Sequence, residues 1–212
     1  MTMFVPKPDG GNFTPPPAGN HIAICYRFID LGTQTVEWKG AKKNQRKVLI
    51  SWELPNELMT EGDYAGQPFT IGRRYTWSMS EKANLRHDLE SWRGRSFTDD
   101  DFSGPNRFNV KNIIGKACML SIVHETKDGS TYANIKSVAA MPKGMQAPEP
   151  VNKAIYFTLE KDGFDNAILD GLSDKLKETI KGSPEYRELV DASYKKPSNN
   201  IELSALDDDI PF

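Results

Sequence analysis

Apolar and polar positions alternate with a period of two over much of the first two thirds of the chain. Ile22, Ile24, Tyr26 and Phe28 alternate with Ala23, Cys25, Arg27 and Ile29, the spacing of a β-strand. Residues 33–38 (TQTVEW) continue that strand or pair with it. The polar stretch from Lys39 to Lys47 reads as a hairpin loop. Val48, Ile50, Trp52 and Leu54 alternate again as far as Pro55, which predicts a strand end. Residues 56–72 are loop-rich, and 73–79 (RRYTWSM) read as a third strand. Ser80 is a good N-cap residue and Glu81 suits the positive start of a helix. Leu85, Leu89 and Trp92 then fall on one helical face, and Gly94 ends it. A polar loop over 95–109 and a short helical turn over 110–114 lead to two more strands, 116–125 and 131–141. The Asp128-Gly129 pair between them signals a tight turn.

The flanks read differently. Residues 1–20 carry Pro6, Pro8, Pro15, Pro16 and Pro17, which predicts an extended arm. Residues 21–141 form the body, and 142–150 a linker with three prolines and a glycine. Residues 151–191 read as a small α/β or helical appendage. Within it, 154–160 suggest a short strand, and Ile168, Leu172, Leu176 and Ile180 are spaced by four. Ser183-Pro184-Glu185 suits the start of another helix. From Ala192 the periodicity stops, and 192–212 are expected to be a disordered acidic tail. The body's order of three strands, a helix and two strands is that of the OB-fold, a five-stranded barrel with its helix between strands 3 and 4. The expected fold is therefore mainly β, although other small barrels share much of this order.

Composition narrows the class. The 212 residues have a mean hydropathy of -0.57. No segment approaches the ~20 apolar residues of a membrane span. The start MTMFVPKPDGG lacks a basic stretch followed by an apolar one, so no secretory signal is expected. Two cysteines, Cys25 and Cys118, are too few for a disulfide scaffold or a four-cysteine zinc site. They are expected as buried thiols in a cytoplasmic protein. The net charge of -2 is unevenly spread: residues 1–150 hold 19 Lys and Arg against 16 Asp and Glu, whereas 191–212 hold 2 against 5. A mildly basic body thus carries an acidic end, the asymmetry of a tail with its own binding role.

The last six residues are Asp207, Asp208, Asp209, Ile210, Pro211 and Phe212. Three adjacent acids stay solvated, Pro211 blocks helix and sheet, and Phe212 sets an aromatic ring beside a carboxylate. Such a peptide suits a basic pocket with a hydrophobic hole on another protein. The tip DDDIPF resembles the C-terminal tip of bacterial single-stranded DNA-binding proteins. The Pro-rich start, GKACMLSIVHETKDGSTYANI and the segment ending in SPEYREL resemble phage early proteins. The body is longer than the bacterial OB-fold domain and lacks the Gln/Gly/Pro-rich linker of many such proteins. Together these features resemble a phage-encoded single-stranded DNA-binding protein. The resemblance implies an OB fold, binding to single-stranded DNA, docking of host replication, repair or recombination proteins on the tip, and work in an infected bacterial cell. The oligomeric state stays open, a homo-oligomer included.

Single strands bind where cations meet exposed aromatic faces. Lys39, Lys42, Lys43, Arg46 and Lys47 put five cations within nine residues, with Trp38 at their edge. In an OB-fold the loop between the first two strands flanks the ligand groove. Arg73, Arg74, Tyr75 and Trp77 mix cations and aromatics on the third strand, and Arg107 and Lys111 are candidates for the rim. A Lys-rich hairpin is more often a solvated turn. Trp52 and Trp92 share faces with aliphatic residues and read as core, as do Tyr26 and Phe28. Tyr75 and Trp77 share a face with Met79, so burial of one or both stays open.

No phosphate loop, HExxH, CxxC or GxSxG is present, and His21, His87 and His124 lie far apart. Asp99-Asp100-Asp101 suggests a metal nuclease only weakly, because three adjacent acids in a loop point different ways. The expectation is a binding protein, not an enzyme, without metal or cofactor. Two rivals remain: an adaptor that uses the tip without binding DNA, and a recombination mediator.

Overall fold

The computed structural model describes residues 14–38, 40–105 and 107–194. The protein is mainly β. Strands β1 (Gly19–Trp38), β2 (Ala41–Leu58), β3 (Pro68–Thr76), β4 (Ala117–Lys127) and β5 (Ser130–Ala139) form one antiparallel sheet in the order β3-β2-β1-β4-β5. A short strand, β6 (Ile155–Phe157), adds to β1 in parallel. Helix α1 (Asn84–Arg93) lies between β3 and β4 in the chain and packs against β5 and β3. Helices α2 (Asn166–Asp170), α3 (Asp174–Lys181) and α4 (Pro184–Tyr194) follow β6. The end strands β3 and β5 approach each other, but no hydrogen-bonded pairing between them closes the sheet among the described residues. No described helix is long and apolar enough to cross a membrane.

The long first strand serves two cores because its side-chain parity changes. Register shifts between Cys25 and Arg27 and between Asp30 and Gly32 mark bulges, and an extra residue in a strand moves every later side chain to the other face. Ala23, Cys25 and Phe28 face a core that includes Val48, Ile50, Trp52, Tyr75, Leu85 and Leu120. Ile29 and Leu31 face the opposite way, with Leu49, and are covered by Phe157, Leu159, Leu169, Leu172, Leu176 and Ile180. Plain alternation of Ile22, Ile24, Tyr26 and Phe28 is therefore corrected at the first bulge. Residues 151–191 bury an apolar face on the outside of β1 and β2.

Among the polar ties that hold that segment in place, three pair a carboxylate with backbone N–H groups. The Glu53 carboxylate, fully buried on β2, accepts the backbone N–H groups of Val151 and Asn152 and the Asn152 side-chain amide at 2.6–2.9 Å. Asp30 accepts the Leu159 N–H. Glu185, in the first turn of α4, accepts the Thr33 N–H and hydroxyl. Gly32 makes the third tie sterically feasible. It sits at φ +68°, and a Cβ there would lie 2.4 Å from the Ser183 side chain, so only glycine lets the start of α4 approach this closely.

Other local expectations change for identifiable reasons. The stretch from Lys39 to Lys47 is not a long loop. β1 runs to Trp38 and β2 starts at Ala41, with Gly40 at φ +77° in the turn. A two-stranded ribbon projecting into solvent needs no apolar face, so its polar sequence looked like a loop. Pro55 does not end β2. It lies where the pairing with β3 jumps from Leu54 to Leu58, a position at which its missing N–H costs no ladder bond. Ser80 does not cap α1: Ala83 is the N-cap residue, and its N–H bonds to the Ser80 carbonyl in a preceding turn.

The Asp99-Asp100-Asp101 stretch forms a 3₁₀ turn whose last residue is a structural clamp. Asp101 is buried and takes Arg93 at 2.8 Å, Arg95 at 3.0 and 3.1 Å, and the Thr98 N–H at 2.9 Å. The Arg93 guanidinium and the Thr98 N–H hold its carboxyl well below the usual carboxylate range. Its contribution to stability is thus present above the pKa of an unfolded aspartate and lost as the pH falls below it. Replacing Asp101→Asn should lower the denaturation midpoint at pH 7, with the gap to the parent protein narrowing towards about pH 2; a gap that stays constant would show that the clamp is not electrostatic.

The two thiols give a second check. Burial pushes Cys25 up to about 12 and Cys118 well above its ordinary value. A disulfide reagent such as Ellman's should find no reactive thiol in the native protein and two after denaturation; a fast native reaction would mean that β1 and β4 open readily.

Candidate nucleic-acid interface

Strand alternation divides the ribbon's cations between two faces. Lys42 and Arg46 point to the same side as Val48 and Ile50. Lys43 and Lys47 point to the side of Leu49. On β3, Arg73 and Tyr75 pair with Ile50 and Val48 on the inner side, whereas Arg74 pairs with Leu49 and is exposed on the outer side. The five-cation run is thus not one patch.

Several of these groups are already satisfied within the fold. Tyr75 is 3% exposed, and its hydroxyl donates to Asp88 on α1 at 2.6 Å. It is a core residue and has no free face for a base, a correction to its expected stacking role. Burial and the Asp88 charge raise its pKa strongly. Arg73 pairs with the same Asp88 oxygen at 2.9 Å and lies over the Tyr75 ring. Lys47 donates to Gln45 and Thr76 at 2.7 and 2.8 Å, and desolvation lowers its pKa. Arg46 bonds to Asp30 through Nε and Nη2 and to Glu160 through Nη2. Hydrogen bonding to Asp30 raises its pKa further, so it stays a cation whose charge two carboxylates offset.

Lys42, Lys43, Arg74, Arg107 and Lys111 are exposed. The Trp38 backbone pairs with Ala41 at the ribbon tip. Lys39 and the tip residues Asp207, Asp208, Asp209, Ile210, Pro211 and Phe212 lie outside the described residues.

The structure brings three of the expected residues, Arg46, Trp77 and Lys111, together around a feature that sequence reasoning missed. Trp77, just past the end of β3, is 41% exposed, and its N–H bonds to the Arg46 carbonyl. Its ring meets Phe28 edge-on, with centroids 5.8 Å apart. Phe28 in turn stacks on Tyr156 of β6 at 5.4 Å and 18°. Lys111, in the 3₁₀ turn Val110–Ile113, places its Nζ 5.6 Å over the Tyr156 ring. Trp77, Phe28 and Tyr156 border an open slot of about 90 Å³, lined also by Val48, Val110, Thr158 and the Asp30–Arg46–Glu160 group. The Tyr156 signal was faint in sequence: one aromatic in a short expected strand, 128 positions from its ring partner.

A second groove, of about 980 Å³, runs between Tyr26, Phe69 and the 59–67 loop. Its lining includes Glu61 and Asp63 and neither Lys nor Arg. That electrostatic character disfavours a polyanion, whereas the smaller slot is lined by Arg46, and Lys111 lies over the ring of Tyr156, one of its lining residues. Among the described residues, Lys111 enters no ion pair, so its charge is available. No protein-family model matches the chain, and no curated protein matches it significantly in sequence.

The Asp88 cluster can be tested directly. Replacing Asp88→Asn should lower the alkaline onset of Tyr75 ionisation, read as tyrosinate absorbance, because the Asp88 charge is one of the groups opposing it. An unchanged alkaline titration would mean that burial alone governs Tyr75.

Proposed function

We propose that the protein binds single-stranded DNA in phage replication or recombination, without strong sequence preference, and recruits host proteins through its C-terminal tip. The observation that carries this reading is the exposed face of Trp77 beside the Tyr156–Lys111 pair, at the inner edge of a ribbon that bears Lys42. Stacking on such a platform contributes about 1–3 kcal/mol per base, and phosphate contacts add a salt-dependent term. An OB-fold assignment of the body is supported by the strand order β3-β2-β1-β4-β5, by α1 falling between β3 and β4, and by the approach of β3 to β5. In that fold the ribbon joining the first two strands borders the ligand groove. No described group performs chemistry in this reading, which asks for no metal or cofactor.

The experiment is a titration of intrinsic tryptophan fluorescence with oligo-dT at low and moderate salt, with duplex DNA as control and a gel shift alongside. Quenching by the single strand, weaker at the higher salt and absent with duplex, is the expected result. A flat titration together with a negative gel shift rejects DNA binding and leaves the tip-bearing adaptor, which the DDDIPF sequence alone favours.

Glu160 provides a sharper prediction. Its carboxylate is 70% exposed and occupies Arg46 Nη2 at 2.9 Å, a position a phosphate oxygen can take. Glu160→Gln should tighten oligo-dT binding several-fold at low salt. If one more phosphate contact forms, the plot of log affinity against log salt should steepen by about 0.7. Unchanged affinity and slope would show that Arg46 stays committed to Asp30.

A further inference from the structure

We infer that the segment following the linker completes a nucleobase subsite: Trp77 supplies the stacking face, the stacked Phe28–Tyr156 pair meets it nearly at a right angle as the adjoining wall, and Lys111 receives the adjoining phosphate. The inference rests on the proposed binding of single-stranded DNA and adds a specific site to it. Trp77 and Tyr156 come from opposite ends of the fold. They are brought to one slot because β6 pairs with β1 at Arg27, Phe28 and Ile29, which sets Tyr156 directly beside Phe28. Tyr156 remains half-buried although one face stacks on Phe28. A purely structural aromatic at this point would gain by closing against its neighbours; here the slot beside it stays open.

The lining also indicates what the subsite recognises. Asp30 accepts from Gly32, Arg46 and Leu159, so its carboxylate is occupied. Arg46 is held by Asp30 and Glu160. The charged groups of the slot thus bond mainly to each other, and what is offered to a base is the exposed ring of Trp77, with the half-buried Tyr156 beside it. A volume of about 90 Å³ is smaller than the ~150 Å³ cavity that encloses a benzene ring. A base therefore inserts only in part and keeps its hydrogen-bonding edge in solvent. Recognition by π-faces with solvated edges tolerates any sequence. Lys111 is exposed with its Nζ over the Tyr156 ring, which puts a cation beside the slot for the phosphate that adjoins the base.

The test uses the full-length chain with Tyr156→Leu and Tyr156→Phe, each checked for native circular dichroism and thermal melting. An oligo-dT carrying one 5-iododeoxyuridine is bound and photocrosslinked, and the attached peptide is identified by mass. If the subsite exists, parent protein crosslinks at Tyr156 or Trp77. Tyr156→Leu weakens binding about tenfold, and Tyr156→Phe keeps it within about twofold of the parent. If the parent binds oligo-dT but Tyr156→Leu binds equally well while folded, or crosslinks fall only on other peptides, the subsite is overturned and single-strand binding stands. If the parent does not bind oligo-dT at all, both readings fall. Should the Leu variant fail to fold, the crosslink position in the parent decides alone.

Discussion

The buried carboxylate of Asp30 is the point on which the arrangement turns. It lies on β1 at the second bulge, accepts the N–H of Gly32 within its own strand, pairs with Arg46 across on β2, and takes the Leu159 N–H from beyond β6. A charge this deep is tolerated only when hydrogen bonds replace its lost hydration, and each of the donors comes from a different stretch of chain. The bulge that creates the Gly32 N–H geometry, the ribbon that carries Arg46 and the docking of the C-terminal segment are therefore mutually dependent. Removing the carboxylate would leave Arg46 with Glu160 alone and would orphan backbone donors.

The same principle decides which cations of a chain with nearly balanced charges a binding face can use. Arg73, Arg93 and Arg95 are paired with Asp88 and Asp101, and Lys47 bonds to neutral oxygens. What is left exposed includes Lys42 on the ribbon and Lys111 over the Tyr156 ring. The count of charges in a sequence says little about such a face. Their partners decide which charges remain for a ligand.

The sequence carried the local order well. The alternation at Val48, Ile50, Trp52 and Leu54, the Asp128-Gly129 turn, the helix face Leu85/Leu89/Trp92 and the spacing of the C-terminal helices all report short-range patterns that burial imposes directly. It was silent where the determining contact is distant or where no burial is involved. The outer part of the ribbon is exposed at most of its described residues from 35 to 44, so no run of apolar residues marks it. The bulges in β1 are set by what packs on each side, including residues more than a hundred positions away. Tyr75 and Trp77 read alike, both aromatic on the inner side of one strand, and only the position of Asp88 on α1 separates the core residue from the exposed one. Tyr156 could not be read as part of any site without the parallel pairing of β6 with β1.

That parallel pairing has a consequence for how the protein comes into being on the ribosome. β1 is made among the first forty residues, yet its outer apolar face, Ile29 and Leu31, and the edge that β6 occupies stay uncovered until residues 155–180 have emerged. During synthesis the sheet can assemble through the sequential pairings β1–β2, β2–β3 and β4–β5, while contacts of such sequence separation form last. A chain interrupted before β6 would keep an unpaired strand edge beside an apolar strip, a surface prone to self-association. It would also lack one wall of the slot. Emergence of residues 155–180, pairing of the free stretch of β1 and assembly of the proposed base subsite are thus a single event.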